Sequence, residues 1–292
     1  MRRFDMYVPA NFDDLLAYID ENPASTETHL IANGSDIINR IQRGQLKART
    51  LVDLSALSEL NYVKKNNGTI RIGALTTISD LIHSPIIDSR LEAFREAAST
   101  FGGPAIRNVA TVGGNICAAS SSEDLLPILL VLDAKVCLRS KKNERVVSLE
   151  EFLKGKRQTD LKPNEILVET MFEEPADRSA CAFEKIGMRN SLIIAFVNCA
   201  TYLKADEHSR IREARIAFNR VAGKTPARAK KTEEQLKGTI LTTDTLTRLE
   251  TTLRSELRTT SDFRASAAYR SDVACVLLNR ALHKCIRELG AC

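Results

Sequence analysis

Arg107-Asn108-Val109-Ala110-Thr111-Val112-Gly113-Gly114-Asn115-Ile116-Cys117-Ala118-Ala119-Ser120-Ser121-Ser122-Glu123-Asp124-Leu125-Leu126-Pro127 sets a glycine pair inside a run of small residues and closes it with an acid. A loop of this composition suits a phosphate-bearing ligand. Gly113 and Gly114 admit torsions and a close approach that a Cβ would forbid. Exposed N–H groups, with the Thr111 and Asn115 side chains, can bind anionic oxygens. Val-Gly-Gly-Asn also has the form of a tight turn between two strands, and on these residues alone the turn is the simpler reading.

A second glycine-bearing turn lies upstream. Thr28-His29-Leu30-Ile31-Ala32 reads as a short buried strand that runs into Asn33-Gly34-Ser35-Asp36 and then into the apolar run Ile37-Ile38-Asn39-Arg40-Ile41. Strand, small polar turn and helix in that order aim the first helical N–H groups at whatever lies over the turn, which suits a pyrophosphate. A capped helix start, with Ser35 or Asp36 as the cap, accounts for the same residues.

Composition narrows the class. The 292 residues are 43% hydrophobic and 27% charged, as in ordinary globular proteins, with length for two or three domains. The net charge of +5, from 42 basic and 37 acidic residues spread along the chain, is too weak and dispersed to indicate nucleic acid. No apolar run approaches a membrane span or a signal peptide, so a cytoplasmic location is expected. Seven scattered cysteines without a Cys-x-x-Cys pair, and four separated histidines, indicate neither a disulfide framework nor a zinc or iron–sulfur site. Most of the cysteines read as small buried hydrophobes, with Cys292 an exposed thiol.

Elsewhere the pattern mixes strands and helices. Asn11 caps a helix beginning at Phe12, Asn67-Gly68 marks a hairpin tip, and Thr76-Thr77 opens another helix, followed by one over residues 91–100. Residues 135–140 and 163–172 read as strands, and Glu173-Glu174-Pro175-Ala176-Asp177-Arg178-Ser179 as a linker. Beyond it, residues 180–185, 193–204 and 211–220 read as strands of one sheet, and 243–257 and 265–289 as helices. The expected class is α+β, with a first domain over 1–176, subdivided near residue 58, and a C-terminal domain over 177–292. No Gly-x-Gly-x-x-Gly or Gly-x-x-x-x-Gly-Lys loop is present, which argues against Rossmann and P-loop sites.

Three segments together resemble the FAD-binding subunits and domains of molybdenum hydroxylases, a family that includes xanthine, nicotinate and carbon monoxide dehydrogenases. They are Ile106–Ile116, Arg71-Ile72-Gly73-Ala74-Leu75-Thr76-Thr77, and Arg264 to Leu282, and the resemblance extends over nearly the whole chain. It implies a two-part FAD-binding domain of the PCMH type followed by a C-terminal sheet-plus-helices domain of the carbon monoxide dehydrogenase flavoprotein type. It implies FAD on this chain, at Leu30, Ile31, Ala32, Asn33, Gly34, Ser35, Asp36 and Ile37 in the first loop and at Thr111, Val112, Gly113, Gly114 and Asn115 in the second. Asp124 matches an acid near the FAD sugar, although a helix N-terminal acid is an equal reading. Phe101 matches an aromatic lining the cofactor, and Leu167 an apolar residue against the flavin; core packing explains both as well. Lys185 matches a lysine at the flavin end, where a cation would favour a reduced, anionic flavin, and otherwise reads as a solvent-facing strand lysine.

The chain departs from the family pattern at two places. Asn33 stands where glycine is frequent, a change that asparagine's tolerance of left-handed torsions can absorb. Ile193-Ile194-Ala195 stands where the family often has Asp-Ile-Ala. The resemblance further implies a molybdopterin-binding large subunit and a [2Fe–2S] small subunit in a dimer of heterotrimers, with this chain passing electrons to NAD or another carrier. A xanthine or N-heterocycle dehydrogenase is the expected type. The 4-hydroxybenzoyl-CoA reductase type, with its cysteine-rich insertion, is disfavoured. A stand-alone FAD oxidoreductase and a non-enzymatic flavin-binding scaffold or assembly protein are the competing classes.

Overall fold

The computed structural model of the chain describes residues 3–188, 194–221 and 226–290. The chain divides into two compact units that interleave in sequence. The first comprises Met1–Ile86, Gly103–Ala119 and Lys135–Phe172; the second comprises Ile87–Gly102, Ser120–Ala134 and Glu173–Cys292.

The first unit holds two sheets with opposite construction. Strand Thr50–Asp53 lies between Asp5–Tyr7 and Thr28–Ile31 and is parallel to both. Parallel neighbours need crossovers, here supplied by helices Phe12–Glu21 and Ile37–Gln42. Asn11 caps the former, its Oδ1 accepting from the Asp14 N–H at 2.9 Å, and Leu15, Leu16 and Ile19 bury its inner face with Val52 and Leu54. The second sheet has the order Val63–Asn66, Thr69–Gly73, Ile166–Glu173, Lys135–Arg139, Glu144–Ser148. Asn67 (φ 49°) and Gly68 (φ 81°) form the expected hairpin tip, both left-handed as a two-residue primed turn requires. Residues 135–139 do not alternate as a half-buried strand should, because Val136, Cys137 and Leu138 are all buried in the sheet interior.

The second unit is built on an antiparallel sheet of Ser179–Ile186, Val197–Ala205, Ile211–Asn219 and the short Ala227–Arg228. Val197–Ala205 is buried almost throughout and Ile211–Asn219 over most of its length, because helices cover both faces of the sheet. Ala180, Ala182, Val197, Cys199 and Leu203 pack with Val273, Ala274, Leu277 and Leu278 of the helix Ala267–Glu288. Helices Glu92–Ser99 and Leu125–Val131, from the two earlier segments of the chain, pack on the same sheet. Cys181, Cys199, Cys275 and Cys285 are buried, and burial pushes the Cys181 thiol up to about 12. Cys292 and the Ile193 departure lie outside the described residues.

The N-terminal end of helix Ala267–Glu288 is fixed by a buried arginine. Arg270, 2% exposed, donates from Nη1 to the Phe196 carbonyl at 2.6 Å and from Nη2 to Asp262 Oδ1 at 2.7 Å. Arg220 Nη1 donates to the other Asp262 oxygen at 3.1 Å. Burial alone would raise the Asp262 carboxyl, but the backbone N–H of Arg264 and the Arg270 charge outweigh it and hold the group at about 2. A carboxyl depressed in the fold contributes stability above its unfolded value, roughly 3.9, which is lost as pH falls through 2. Thermal melts should therefore show Asp262→Asn less stable by about 2 kcal/mol at pH 7, less than a fully buried pair because the carboxylate is 32% exposed. The gap to wild type should narrow between pH 4 and 2; a gap that stays constant over that range contradicts this assignment.

Candidate functional site

Both glycine loops belong to the first unit, and hydrogen bonds connect them. The segment before the second loop runs antiparallel to residues 74–78. Ile78 N–H donates to Ala110 O at 2.9 Å, Val112 N–H to Thr76 O at 2.9 Å and Gly113 N–H to Ala74 O at 2.8 Å. A β-bridge joins Thr77 to Thr111. The glycine pair then enters a helix, Val112–Ala118, and is not a turn between strands. Thr111 caps that helix, its Oγ1 accepting from the Gly114 N–H at 3.0 Å.

This changes what the glycines do. Neither has a positive φ, and the N–H groups of Val112, Gly113 and Gly114 are all taken by protein acceptors rather than exposed. Gly113 is required by proximity: a Cβ there would lie 2.7 Å from both the Cβ and the carbonyl oxygen of Ala74. Gly114 is the exposed residue of the pair, while Thr111 and Asn115 are buried.

The first loop complements the second. Strand Thr28–Ile31 and helix Ile37–Gln42 bracket Asn33–Asp36 as expected, and the left-handed residue is Gly34 (φ 79°), not Asn33. Asn33 instead donates its side-chain amide to the Val109 carbonyl at 3.0 Å, joining the two loops. Its departure from glycine therefore adds a cross-link. Asp36 occupies the N-cap position but makes no capping bond, so the capped-helix reading fails; its carboxylate accepts from both Nη atoms of Arg157 at 3.0 and 3.2 Å. The backbone N–H groups of Asn33, Gly34, Ser35 and Asp36 meet no acceptor among the described residues. A row of open N–H groups fits the anionic oxygens of a pyrophosphate, so the residues present suit FAD. Leu30 and Ile37 are half-buried, Ile31 is buried, and Leu167 is buried in the five-stranded sheet beside Leu138.

The second unit gathers three other expected residues. Asp124 and Lys185 form a buried ion pair at 2.6 Å, with side chains 7% and 6% exposed. Asn198 Nδ2 donates to the second Asp124 oxygen at 3.0 Å, and Lys185 Nζ also donates to Thr100 O at 2.9 Å, next to Phe101. Burial pushes the Asp124 carboxyl up, against the opposing pull of Lys185 and Asn198. Lys185 is thus no solvent-facing lysine, and its charge is matched by a carboxylate. Asp124 does stand at the N-cap position of helix Leu125–Val131, as a helix-start acid would, but without a side-chain capping bond; its carboxylate oxygens are held by Lys185 and Asn198 instead. Asn198, Asn33 as a cross-link and Arg157 were not singled out in the sequence, because their partners lie far away along the chain.

Residues 2–172 match the family described as the FAD binding domain in molybdopterin dehydrogenase, and residues 182–285 match the carbon monoxide dehydrogenase flavoprotein C-terminal domain. The chain belongs to the family of FAD-binding subunits of molybdopterin dehydrogenases. It is 30% identical over 283 residues to the xanthine dehydrogenase FAD-binding subunit of Escherichia coli O157:H7, covering 96% of this chain and 95% of that one. It is 33% identical to the nicotinate dehydrogenase FAD-subunit of Eubacterium barkeri, over 84% of this chain and 83% of that one. Among solved structures, reconstituted carbon monoxide dehydrogenase from Oligotropha carboxidovorans matches 97% of this chain and 98% of its own with a TM-score of 0.91 at 26% identity. The FAD-binding subunit has, among the described residues, no group of three or more His, Cys, Asp or Glu placed to hold a metal ion and no helix long and apolar enough to cross a membrane.

Removing one partner from the buried Asp124–Lys185 pair leaves an uncompensated charge. Urea unfolding of Lys185→Met and of Asp124→Leu should each show a loss of about 3 kcal/mol. The double substitution should lose clearly less than the sum, a coupling of roughly 1 kcal/mol or more. Strict additivity would show that the pair is not formed in solution.

Proposed function

We propose that this chain is the FAD-holding electron-transfer subunit of a molybdopterin-dependent dehydrogenase. It works in a hetero-oligomer with a molybdopterin-binding large subunit and a [2Fe–2S] small subunit, arranged as a dimer of heterotrimers. The observation that carries this reading is the pair of cross-linked loops, one of which presents four open N–H groups at Asn33–Asp36. Bound FAD would supply the redox chemistry, exchanging single electrons with iron–sulfur centres and an electron pair with NAD or another carrier.

The residues of the chain have the simpler task of binding and orientation. Leu30–Ile37 would hold one side of the pyrophosphate through the open N–H groups of Asn33–Asp36, and Thr111–Asn115 would lie against the other, where exposed Gly114, lacking a Cβ, leaves room for close approach. Phe101, Asp124, Leu167 and Lys185 would contact the rest of the cofactor, Lys185 and Asp124 acting as an ion pair. Support for an N-heterocycle as the reducing substrate comes from the relatives named for xanthine and nicotinate, both of which are N-heterocycles.

Gly34 provides the test. With φ at 79° and a built Cβ only 2.9 Å from Ile38 Cγ1, a side chain there would distort the open loop locally. Flavin fluorescence on titration with FAD should show saturable binding to the wild-type chain and at least about tenfold weaker binding by Gly34→Val, a loss near 1.4 kcal/mol, with far-ultraviolet circular dichroism unchanged. The flavin should be reduced by substrate only when the large and small subunits are present. A folded wild-type chain that takes up no FAD overturns the reading, and reduction by substrate without partners favours a stand-alone oxidoreductase.

A further inference from the structure

We infer that Arg157 is a positioning and charge-compensating residue for the cofactor loops, holding both in register and cancelling a carboxylate that would otherwise oppose the pyrophosphate. The inference rests on the FAD-holding role proposed above and assigns a function to a hairpin that the family motifs do not include. That hairpin pairs Leu153–Gly155 with Gln158–Thr159, and Lys156 and Arg157 form its tip.

Three observations converge on Arg157. Its guanidinium is bidentate to Asp36, the last residue of the open N–H row, at 3.0 and 3.2 Å. Its own backbone N–H donates to Ala119 O at 2.8 Å, just past the end of the second-loop helix Val112–Ala118. One residue therefore holds the first loop by its side chain and the second by its backbone. Its φ of 57° is left-handed, a torsion at which glycine is relaxed and arginine is strained. The tip thus has the backbone of a glycine position and the side chain of an arginine one.

The electrostatic argument follows from where Asp36 stands. A carboxylate at the end of a row of anion-binding N–H groups repels the phosphates that those groups attract. The bidentate guanidinium cancels that charge and also turns the carboxylate toward the hairpin. Arg40, whose Nη1 lies 3.8 Å from Asp36, is beyond hydrogen-bond reach and compensates less. The ion pair itself is a third or more exposed, so little fold stability depends on it.

Arg157→Gly separates this role from a merely structural one, since glycine suits the torsion and keeps the N–H to Ala119 while deleting the guanidinium. Its melting temperature should equal or exceed that of wild type. Its dissociation constant for FAD, read by fluorescence titration, should rise roughly tenfold at low salt, with the difference shrinking as the ionic strength is raised above about 0.1 M. Asp36→Asn in the Arg157→Gly background should restore binding to within about twofold of wild type, because it removes the charge left uncompensated. Arg157→Lys should fall between the single variant and wild type. Arg157→Gly binding FAD as well as wild type, or a double variant no tighter than Arg157→Gly, overturns the inference. Failure of the wild-type chain itself to bind FAD is a different result and overturns the FAD-holding role.

Discussion

The short antiparallel contact between residues 74–78 and 110–113 is the constraint on which the candidate cofactor site depends. Three backbone hydrogen bonds and the Thr77–Thr111 bridge make the second loop an extension of the segment that follows strand Thr69–Gly73. That segment is anchored in turn, because Ala74 N–H donates to Val168 O at 2.8 Å in the neighbouring strand Ile166–Glu173. The loop is therefore tied to the sheet by backbone hydrogen bonds. Two of the motifs on which the family resemblance rests, residues 71–77 and 106–116, are the two sides of this one contact. Their joint presence in the sequence has a physical reason, since either alone would leave backbone polar groups of the other unpaired.

The local grammar of the chain was legible where a single turn of backbone decides the outcome. Asn11 and Thr77 cap helices, Asn67-Gly68 turns a hairpin, and the strand–turn–helix over residues 28–41 folds as its pattern predicts. The glycine pair shows where local reasoning stops. Val-Gly-Gly-Asn has poor intrinsic helix propensity and reads as a turn. Tertiary hydrogen bonds to Ala74 and Thr76, with the Thr111 cap, place it in a helix instead. Gly113 is needed for its lack of a Cβ beside Ala74, a close approach that no window of sequence around residue 113 can display. Arg157 was invisible for the same reason: its partners, Asp36 and Ala119, are distant in sequence, and its left-handed torsion carries no glycine to mark it.

Burial decides the character of the Asp124–Lys185 pair in the second unit. An isolated lysine on strand Ser179–Ile186 would read as solvated, and an acid before helix Leu125–Val131 as a dipole partner. With both side chains nearly inaccessible, each requires the other, and Asn198 and the Thr100 carbonyl complete the hydrogen bonding. Such a pair contributes little net stability relative to apolar residues of the same size, yet it is costly to break from one side. Its value is positional: it fixes the start of one helix against one strand by groups that tolerate no alternative partner.

The path of the chain passes between the two units more than once. The second glycine loop lies on Gly103–Ala119, which belongs to the first unit while the segments before and after it, Ile87–Gly102 and Ser120–Ala134, belong to the second. Phe101 and Asp124, placed by the second unit, flank in sequence the loop residues Thr111–Asn115 placed by the first. The chain thus alternates between units along some two dozen residues. The boundary between the units therefore cannot be placed at a single linker, because Gly103–Ala119 returns to the first unit between two segments of the second.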